Sequence, residues 1–219
     1  MSLELYYLGP SPPCRAVMLL LKAIDLSPEM KPVNVMEGEH LSEEFLQLNP
    51  QHTIPVLVDD GFPIAESRSI MMYLADNYTE NESLYPKDPK QRAIVNQRLF
   101  FDIGTLFTRF AECYHPVIWK GEGINENLVV KVEEAFSILN TFLEGHDWVA
   151  GDEMTIADFS IVVTVSTAEG VGFDLSPYSN VVDWLQRCKD NMVDYEEVNQ
   201  ANLDHFVEHW KGKLGEQGE

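Results

Sequence analysis

The sequence contains few cysteines and few basic residues, and it has no long hydrophobic run. Its three cysteines, Cys14, Cys113 and Cys188, lie far apart and form neither a metal-ligand spacing nor a disulfide framework. We therefore expect no metal site and a reducing, cytoplasmic setting. No apolar run approaches the roughly 18 residues of a membrane span. The first residues have no basic stretch before an apolar run, so no secretory signal is expected.

The shortage of basic residues also limits the possible partners. The chain has 15 Lys and Arg against 36 Asp and Glu, which gives a net charge of −21. Nucleic acids and anionic membranes bind basic surfaces, so we expect neither as a partner. Hydrophobic residues make up 45% of the 219 residues, which is enough to bury a core in one or two globular domains.

The first 80 residues alternate between strand and helix patterns. Short apolar runs predict strands at 3–8, 33–36, 54–58 and 62–65, and helices are predicted from Pro13 to Ala23, from Ser42 and from Glu66 to Tyr78. Asp59-Asp60-Gly61 is typical of a hairpin turn. This order predicts a small α/β domain of thioredoxin type over residues 1–80.

The pattern changes after a polar linker at 81–87. Residues 88–219 contain helical runs at about 89–119, 125–143, 156–168, 177–189 and 195–211, and no convincing strand. Asp88-Pro89-Lys90-Gln91 and Thr155-Ile156-Ala157-Asp158 have the spacing of capping boxes. We therefore expect an α/β domain followed by an all-helical bundle.

The stretch from Asn49 to Val58 joins a polar loop to an apolar strand. Ile54-Pro55 stands at the join, where a cis bond is plausible because proline reduces the preference for trans. A cis turn would expose the N–H and C=O of Ile54 to an extended peptide. An ordinary junction between a loop and a strand is the alternative interpretation.

Several motifs together resemble one family. They occur in the family's order and spacing over residues 3–190: Tyr6-Tyr7-Leu8, Ser11, Pro13-Cys14-Arg15, Gly38-Glu39-His40-Leu41, Asn49 to Pro55, Glu66-Ser67-Arg68, Ser83 to Pro86 and Leu139 to Gly145. This set resembles a cytosolic glutathione transferase of the insect delta class, with the epsilon class as near neighbour. Gly9-Pro10 and Pro12 depart from the commoner pattern around the serine, which could shift Ser11.

Ser11 is the candidate catalytic residue. The glutathione thiol has a pKa near 8.5 and must become a thiolate to attack at neutral pH. A hydroxyl in the turn before a helix can donate to that anion, and the positive helix end favours it. A simple turn serine is the alternative. Cys14 lacks the second cysteine of a C-x-x-C site, so we expect a buried helix residue rather than a nucleophile.

The remaining site residues follow from residue chemistry and from the resemblance. Glu66, Ser67 and Arg68 open a helix and suit an ammonium and a carboxylate. A helix cap with a surface ion pair is the alternative. The resemblance implies that they bind the amino-acid end of glutathione and that the rest of it meets His40, His52, Thr53, Ile54 and Pro55.

An aromatic stripe is the candidate pocket for a hydrophobic second substrate. It comprises Phe107, Phe110, Tyr114 and Ile118, with Phe206 near the C-terminal end, although such stripes more often form a core. The resemblance implies conjugation of glutathione, the co-substrate, to apolar electrophiles in detoxification. A ligand carrier and a glutathione-dependent peroxidase or isomerase stay open as alternatives.

The resemblance also implies a homodimer. The candidate interface residues are Met71, Met72, Asn96 and Phe100.

Overall fold

The N-terminal part of the chain is built on one mixed sheet. The computed structural model describes residues 2–215, except for the side chains of Ile118 and of residues 213–215. The sheet order is β2-β1-β3-β4, with β1 (Leu3–Tyr7), β2 (Glu29–Pro32), β3 (Val56–Asp59) and β4 (Phe62–Ala65). β1 is parallel to β2 and antiparallel to β3, and β3 is antiparallel to β4. With α1 (Pro12–Ala23), α2 (Glu43–Leu48) and α3 (Ser67–Asn77), this is the predicted thioredoxin-like domain.

The predicted position of the second strand is wrong. It was expected at 33–36, but β2 is at Glu29–Pro32, and Val35–Glu37 forms a 3-10 turn. The Asn34 side chain accepts a hydrogen bond from the Met36 N–H at 3.1 Å, which starts this turn, and Gly38 ends it at a φ of 80°. β2 is a largely exposed edge strand, so it lacks the apolar alternation that identifies a strand in a sequence.

The hairpin between β3 and β4 follows from its turn residues. Asp60 and Gly61 have φ angles of 44° and 85°. A two-residue hairpin of type I′ needs positive φ at both central positions, which Asp and Gly tolerate. The turn sets the register in which Leu57 pairs with Ile64, and on its other side Leu57 pairs with Leu5 of β1. Leu5 and Leu57 are fully buried, so this register fixes the core face of the sheet.

The rest of the described chain is a helical domain, as predicted. Its helices are α4 (Pro89–Phe101), α5 (Phe107–Lys120), α6 (Glu126–Phe142), α7 (Ile156–Gly170), α8 (Ser179–Asn191) and α9 (Ala201–Gly215). The helix expected over 89–119 is divided by a π-helical segment, Asp102–Leu106, and a second one, Glu196–Gln200, precedes α9. Such segments often occur at functional sites. Within residues 2–215, no helix is both long and apolar enough to cross a membrane.

Helix α7 lies at the centre of the molecule and is buried on all sides over most of its length. Its first turn contains the predicted capping box of Thr155 and Asp158. The buried Asp158 carboxylate also accepts from the Val149 N–H at 3.0 Å and from the Trp184 indole at 2.9 Å. One side chain therefore joins the start of α7 to α8 and to the loop before α7.

We expect Asp158→Asn to destabilise the protein by about 2–4 kcal/mol. The amide would direct an N–H group at donors that now meet a carboxylate, and each lost charged hydrogen bond costs roughly 1.5–3 kcal/mol. Urea unfolding at a fixed protein concentration measures the change. Asp152→Asn is the matched control, because Asp152 is exposed. Equal unfolding midpoints for the two variants would contradict a structural role for Asp158.

Candidate active site

Ser11 stands between β1 and α1. It is the N-cap residue of α1 in an extended conformation, and its side chain makes no capping hydrogen bond. Its backbone N–H donates to the Leu8 carbonyl at 3.1 Å, which closes the turn. Pro12 and Pro13 fill the first turn of the helix, where prolines are tolerated because those N–H groups have no partner in the helix. The hydroxyl therefore lies at the positive end of α1, where it also interacts with the Cys14 thiol.

Cys14 is buried in α1, as the sequence predicts. Burial raises the pKa of its thiol to about 11, so the thiol is protonated at neutral pH. A protonated, buried thiol is a poor nucleophile.

The Ser11 turn also contacts the C-terminal helix. A Cβ atom added to Gly9 would lie 2.1 Å from Oδ1 of Asn202 in α9, so only glycine fits in the present arrangement. Asn202 is held by a hydrogen bond of 3.0 Å from its Nδ2 to the Val198 carbonyl. This contact gives a physical reason for glycine at the position where the sequence departs from the commoner pattern.

Arg15 strengthens the same junction from the other side of the turn. Its guanidinium is fully buried and donates to Asn199 Oδ1 and to Thr167 Oγ1, each at 2.5 Å. Burial lowers the pKa of Arg15 to about 10, so the group remains charged at neutral pH. Asn199 in turn donates to Ser166 on α7 at 3.1 Å. Sequence reasoning missed this network because its members lie more than 150 positions apart.

The loop before β3 has the predicted cis bond at Ile54-Pro55. The buried Asn49 side chain orders this loop: its Nδ2 donates to the Thr53 carbonyl at 2.9 Å, and its Oδ1 accepts from the Gln51 N–H at 3.0 Å. The Ile54 backbone makes no backbone hydrogen bond within the described residues. His52 has a φ of 49°, and its ring lies 6.2 Å from that of His40.

Glu66, Ser67 and Arg68 mark the start of α3. Glu66 has a φ of 68°, a strained conformation for a residue other than glycine, and such strain clusters at functional positions. Ser67 is buried at the first helical position. Its Oγ accepts a hydrogen bond from the Arg68 Nη1 at 3.1 Å, so the hydroxyl proton of Ser67 remains free to donate.

The Arg68 guanidinium is already paired within the protein. Arg68 is buried and its Nη2 is 2.5 Å from Oδ2 of Asp102, a fully buried carboxylate that also accepts from Ser160 and Thr164. The physical reason is that a buried cation needs a paired carboxylate. Nothing in the local sequence around Arg68 points to Asp102, which was therefore missed.

A cavity of about 550 Å³ opens between the two domains. Among the predicted residues, it is lined by Ser11, His40, His52, Thr53, Ile54, Phe107 and Phe206. Its other lining residues were not predicted from the sequence, and they include Asn34, Val35, Met36, His115, Trp119, His205 and His209. Glu66, Ser67 and Arg68 are not among the lining residues, so the start of α3 lies outside this space.

The aromatic stripe on α5 divides between the cavity and the core. Phe107 lines the cavity and lies under the Arg68 guanidinium, with the Cζ atom 5.3 Å from the ring centroid. Phe110 and Tyr114 are buried, stack on each other at 4.8 Å and are not lining residues. Tyr114 also meets Trp210 of α9 at 5.6 Å. The side chain of Ile118 lies outside the described part of the chain.

Comparisons with known proteins agree with this arrangement. The family model described as "Glutathione S-transferase, N-terminal domain" matches residues 1–76, and "Glutathione S-transferase, C-terminal domain" matches residues 105–190. Glutathione S-transferase D7 of Anopheles gambiae is 45% identical over 216 residues, which is 98% of this chain and 99% of that protein.

Solved structures extend the likeness to the whole fold. A delta-class glutathione transferase of Nilaparvata lugens superposes with a TM-score of 0.94 at 44% identity, covering 96% of this chain and 99% of that one. A glutathione transferase homologue of Drosophila mojavensis, solved with bound glutathione, has a TM-score of 0.91 at 34% identity, and 97% of each chain is covered. The chain therefore belongs to the glutathione S-transferase family, as its motifs predict.

Proposed function

We propose that this protein conjugates reduced glutathione to apolar electrophiles and that Ser11 stabilises the glutathione thiolate. The observation that carries the proposal is the position of Ser11 at the start of α1. Its side chain makes no capping hydrogen bond, and it lines the cavity between the domains. The thiol must lose its proton before the sulfur attacks a carbon atom. A hydroxyl donor placed in advance at the positive end of a helix lowers the free energy of that anion.

We propose that glutathione binds along the loop before β3 and the start of α3. Its cysteinyl backbone pairs with the free backbone groups of Ile54, as an added strand would. Its α-carboxylate meets the start of α3 and the Ser67 hydroxyl, and Glu66 accepts from its ammonium. The glycine end lies near His40 and His52, and Thr53 and Pro55 shape the loop.

Arg68 acts on glutathione through Ser67 in this proposal. Its hydrogen bonds to Asp102 and Ser67 use the guanidinium within the protein. Because Arg68 donates to Ser67 Oγ, the Ser67 proton is left to point away towards the ligand carboxylate. Arg68 is thus a positioning residue, and Asp102 holds it in place.

The electrophile occupies the part of the cavity next to the helical domain. Phe107, Trp119 and Phe206 offer apolar surface there. Phe110 and Tyr114 support this wall from the core, since both are buried and Tyr114 packs on Trp210. The sulfur of glutathione would lie beside Ser11, between the loop at Ile54 and this wall.

The domain limits and setting that we propose are those expected from the sequence. Residues 1–80 bind glutathione, residues 81–87 are a linker, and residues 88–219 supply the electrophile pocket. We also propose a cytoplasmic location. Cys14, Cys113 and Cys188 are free, buried thiols, which suits a reducing compartment.

We further propose a homodimer that uses α3, α4 and their neighbours. Phe100 of α4 is 67% exposed and Phe62 of β4 is 63% exposed, which is unusual for phenylalanine. Met71 is fully buried in the core, so it does not belong to this surface. Met72 is half-buried, and Asn96 accepts from the Tyr85 hydroxyl at 2.8 Å.

Ser11→Ala should lower kcat and kcat/KM together at neutral pH, by about 10²–10³-fold at the upper end for one donor lost from an anion site. Glutathione affinity should change little, because the peptide-binding groups lie elsewhere. Partial rescue is expected above pH 9, where solvent deprotonates the thiol. The measurement is a pH–rate profile with 1-chloro-2,4-dinitrobenzene.

Ser137→Ala is the control for this profile, because Ser137 is exposed on α6. Superimposed profiles of wild type and Ser11→Ala would reduce Ser11 to a turn residue. If both proteins bind glutathione and neither converts the electrophile, the protein is a ligand carrier.

Gly9→Ala should lower kcat/KM about three- to tenfold, because the new methyl group meets Asn202 and must move either the Ser11 turn or α9. Small displacements of a reacting group have effects of this order or larger. The double variant Gly9→Ala/Asn202→Ala should regain the activity of Asn202→Ala alone, since the alanine at 202 makes room. A double variant as impaired as Gly9→Ala would show that the contact does not position the turn.

A homodimer should sediment with about twice the mass of one 24.9 kDa chain at micromolar concentration. Phe100→Asp should shift the mass towards one chain, since a charge at the centre of an apolar contact is costly. Val130→Asp on α6 is the control, because Val130 is a comparably exposed apolar residue on another helix. A single-chain mass for the wild type would refute the dimer.

A further inference from the structure

The cavity has a composition unlike that of the chain around it. Asp and Glu make up 36 of the 219 residues, about one in six, yet no acidic residue lines the cavity in the part of the chain that the structure describes. Five of the six histidines of the sequence do line it. A cavity that excludes acids and collects imidazoles is suited to anionic ligands, because imidazole supplies N–H donors and can take up positive charge.

Glutathione accounts for only part of this composition. His40 and His52 belong to the side of the cavity where its glycine end is proposed to lie. The other three histidines are on the helical domain: His115 on α5, and His205 and His209 on α9. With Phe107, Trp119 and Phe206 they form what we call the helical wall, which the proposed site assigns to the electrophile.

The three histidines of the helical wall differ in their surroundings. His115 is half-buried, 6.2 Å from the Phe107 ring, and burial lowers its pKa, so it is a neutral donor at pH 7. His205 and His209 are exposed and one helical turn apart, so both side chains leave the same face of α9. Nδ1 of His205 is 3.9 Å from a Glu208 carboxylate oxygen, which is too far for a hydrogen bond, so both ring nitrogens remain available.

We propose that the helical wall selects electrophiles that combine an apolar body with a carboxylate. The apolar body would lie on Phe107, Trp119 and Phe206, and the carboxylate would accept hydrogen bonds from His205, His209 and His115. This proposal rests on the proposed glutathione transfer, and it adds the substrate class that the same site prefers. A net charge of −21 gives anions no general attraction to this protein, so the preference has to come from these local donors.

A matched pair of aryl chlorides tests the proposal. The substrates are 4-chloro-3-nitrobenzoate and 4-chloro-3-nitrobenzamide, which have the same ring and nearly the same shape but differ in charge. In both, the thiol of glutathione first loses its proton to solvent, the thiolate sulfur forms a bond to the ring carbon, the carbon–chlorine bond breaks, and chloride leaves with its electron pair. Each kcat/KM at pH 7 is divided by the uncatalysed rate constant for glutathione with the same compound, which removes the difference in intrinsic reactivity.

We expect the normalised value to favour the benzoate about tenfold, the scale of one hydrogen bond to a charged group. We call the normalised value for the benzoate divided by that for the benzamide the selectivity ratio. In the double variant His205→Gln/His209→Gln this ratio should fall towards one. Adding His115→Gln to the double variant should bring it closer still to one. His146→Gln is the matched control, because His146 is the sixth histidine and lies in the loop beside Asp152, outside this cavity. That control should keep the wild-type ratio.

Two results would overturn the proposal. One is a wild-type ratio of one or less, and the other is a preference for the benzoate that survives all three substitutions. If neither compound is converted although glutathione binds, then the proposed transfer has failed. In that case calorimetry of the two compounds with the wild-type protein decides, because equal affinities exclude selection of the carboxylate and tighter binding of the benzoate upholds it.

Discussion

The arrangement of the site depends on two arginines that are buried where the two domains meet. Arg15 of α1 reaches Asn199 and Thr167, and Arg68 of α3 reaches Asp102. A buried guanidinium without partners would cost several kcal/mol, so these contacts must form together with the domain interface. Because Ser11 is the N-cap residue of α1 and Ser67 is the first residue of α3, fixing the two helices also fixes the two ends of the proposed glutathione site.

The two buried arginines are compensated in different ways. Arg68 is paired with a carboxylate, so the pair adds little net charge. The hydrogen bonds of Arg15 go to a neutral amide and a neutral hydroxyl. Burial raises the pKa of the neighbouring Tyr195 to about 12, so that phenol is also neutral at pH 7. Arg15 therefore remains charged at neutral pH with neutral partners and no carboxylate partner among the described residues.

The sequence predicts features whose causes are local. Three such features are present in the structure: the capping box at Thr155, the Asp60-Gly61 hairpin and the burial of Cys14. Each follows from a few adjacent residues. Features that need distant partners could not be predicted: the Asp102 partner of Arg68 is 34 positions away, and Asn199 is 184 positions from Arg15. β2 was misplaced for a related reason, since its pairing with β1 and not its composition makes it a strand.

Charge in this protein has to be judged locally. Glutathione is itself an anion, and it must enter a protein of net charge −21. At physiological ionic strength the screening length is about 8 Å, so carboxylates on the far surface contribute little inside the cavity. A ligand in the cavity contacts only the lining residues. Among the described residues these include five histidines and the start of α1 at Ser11, and they include no carboxylate. The net charge predicts which macromolecules the surface repels, whereas the lining determines which small molecules bind.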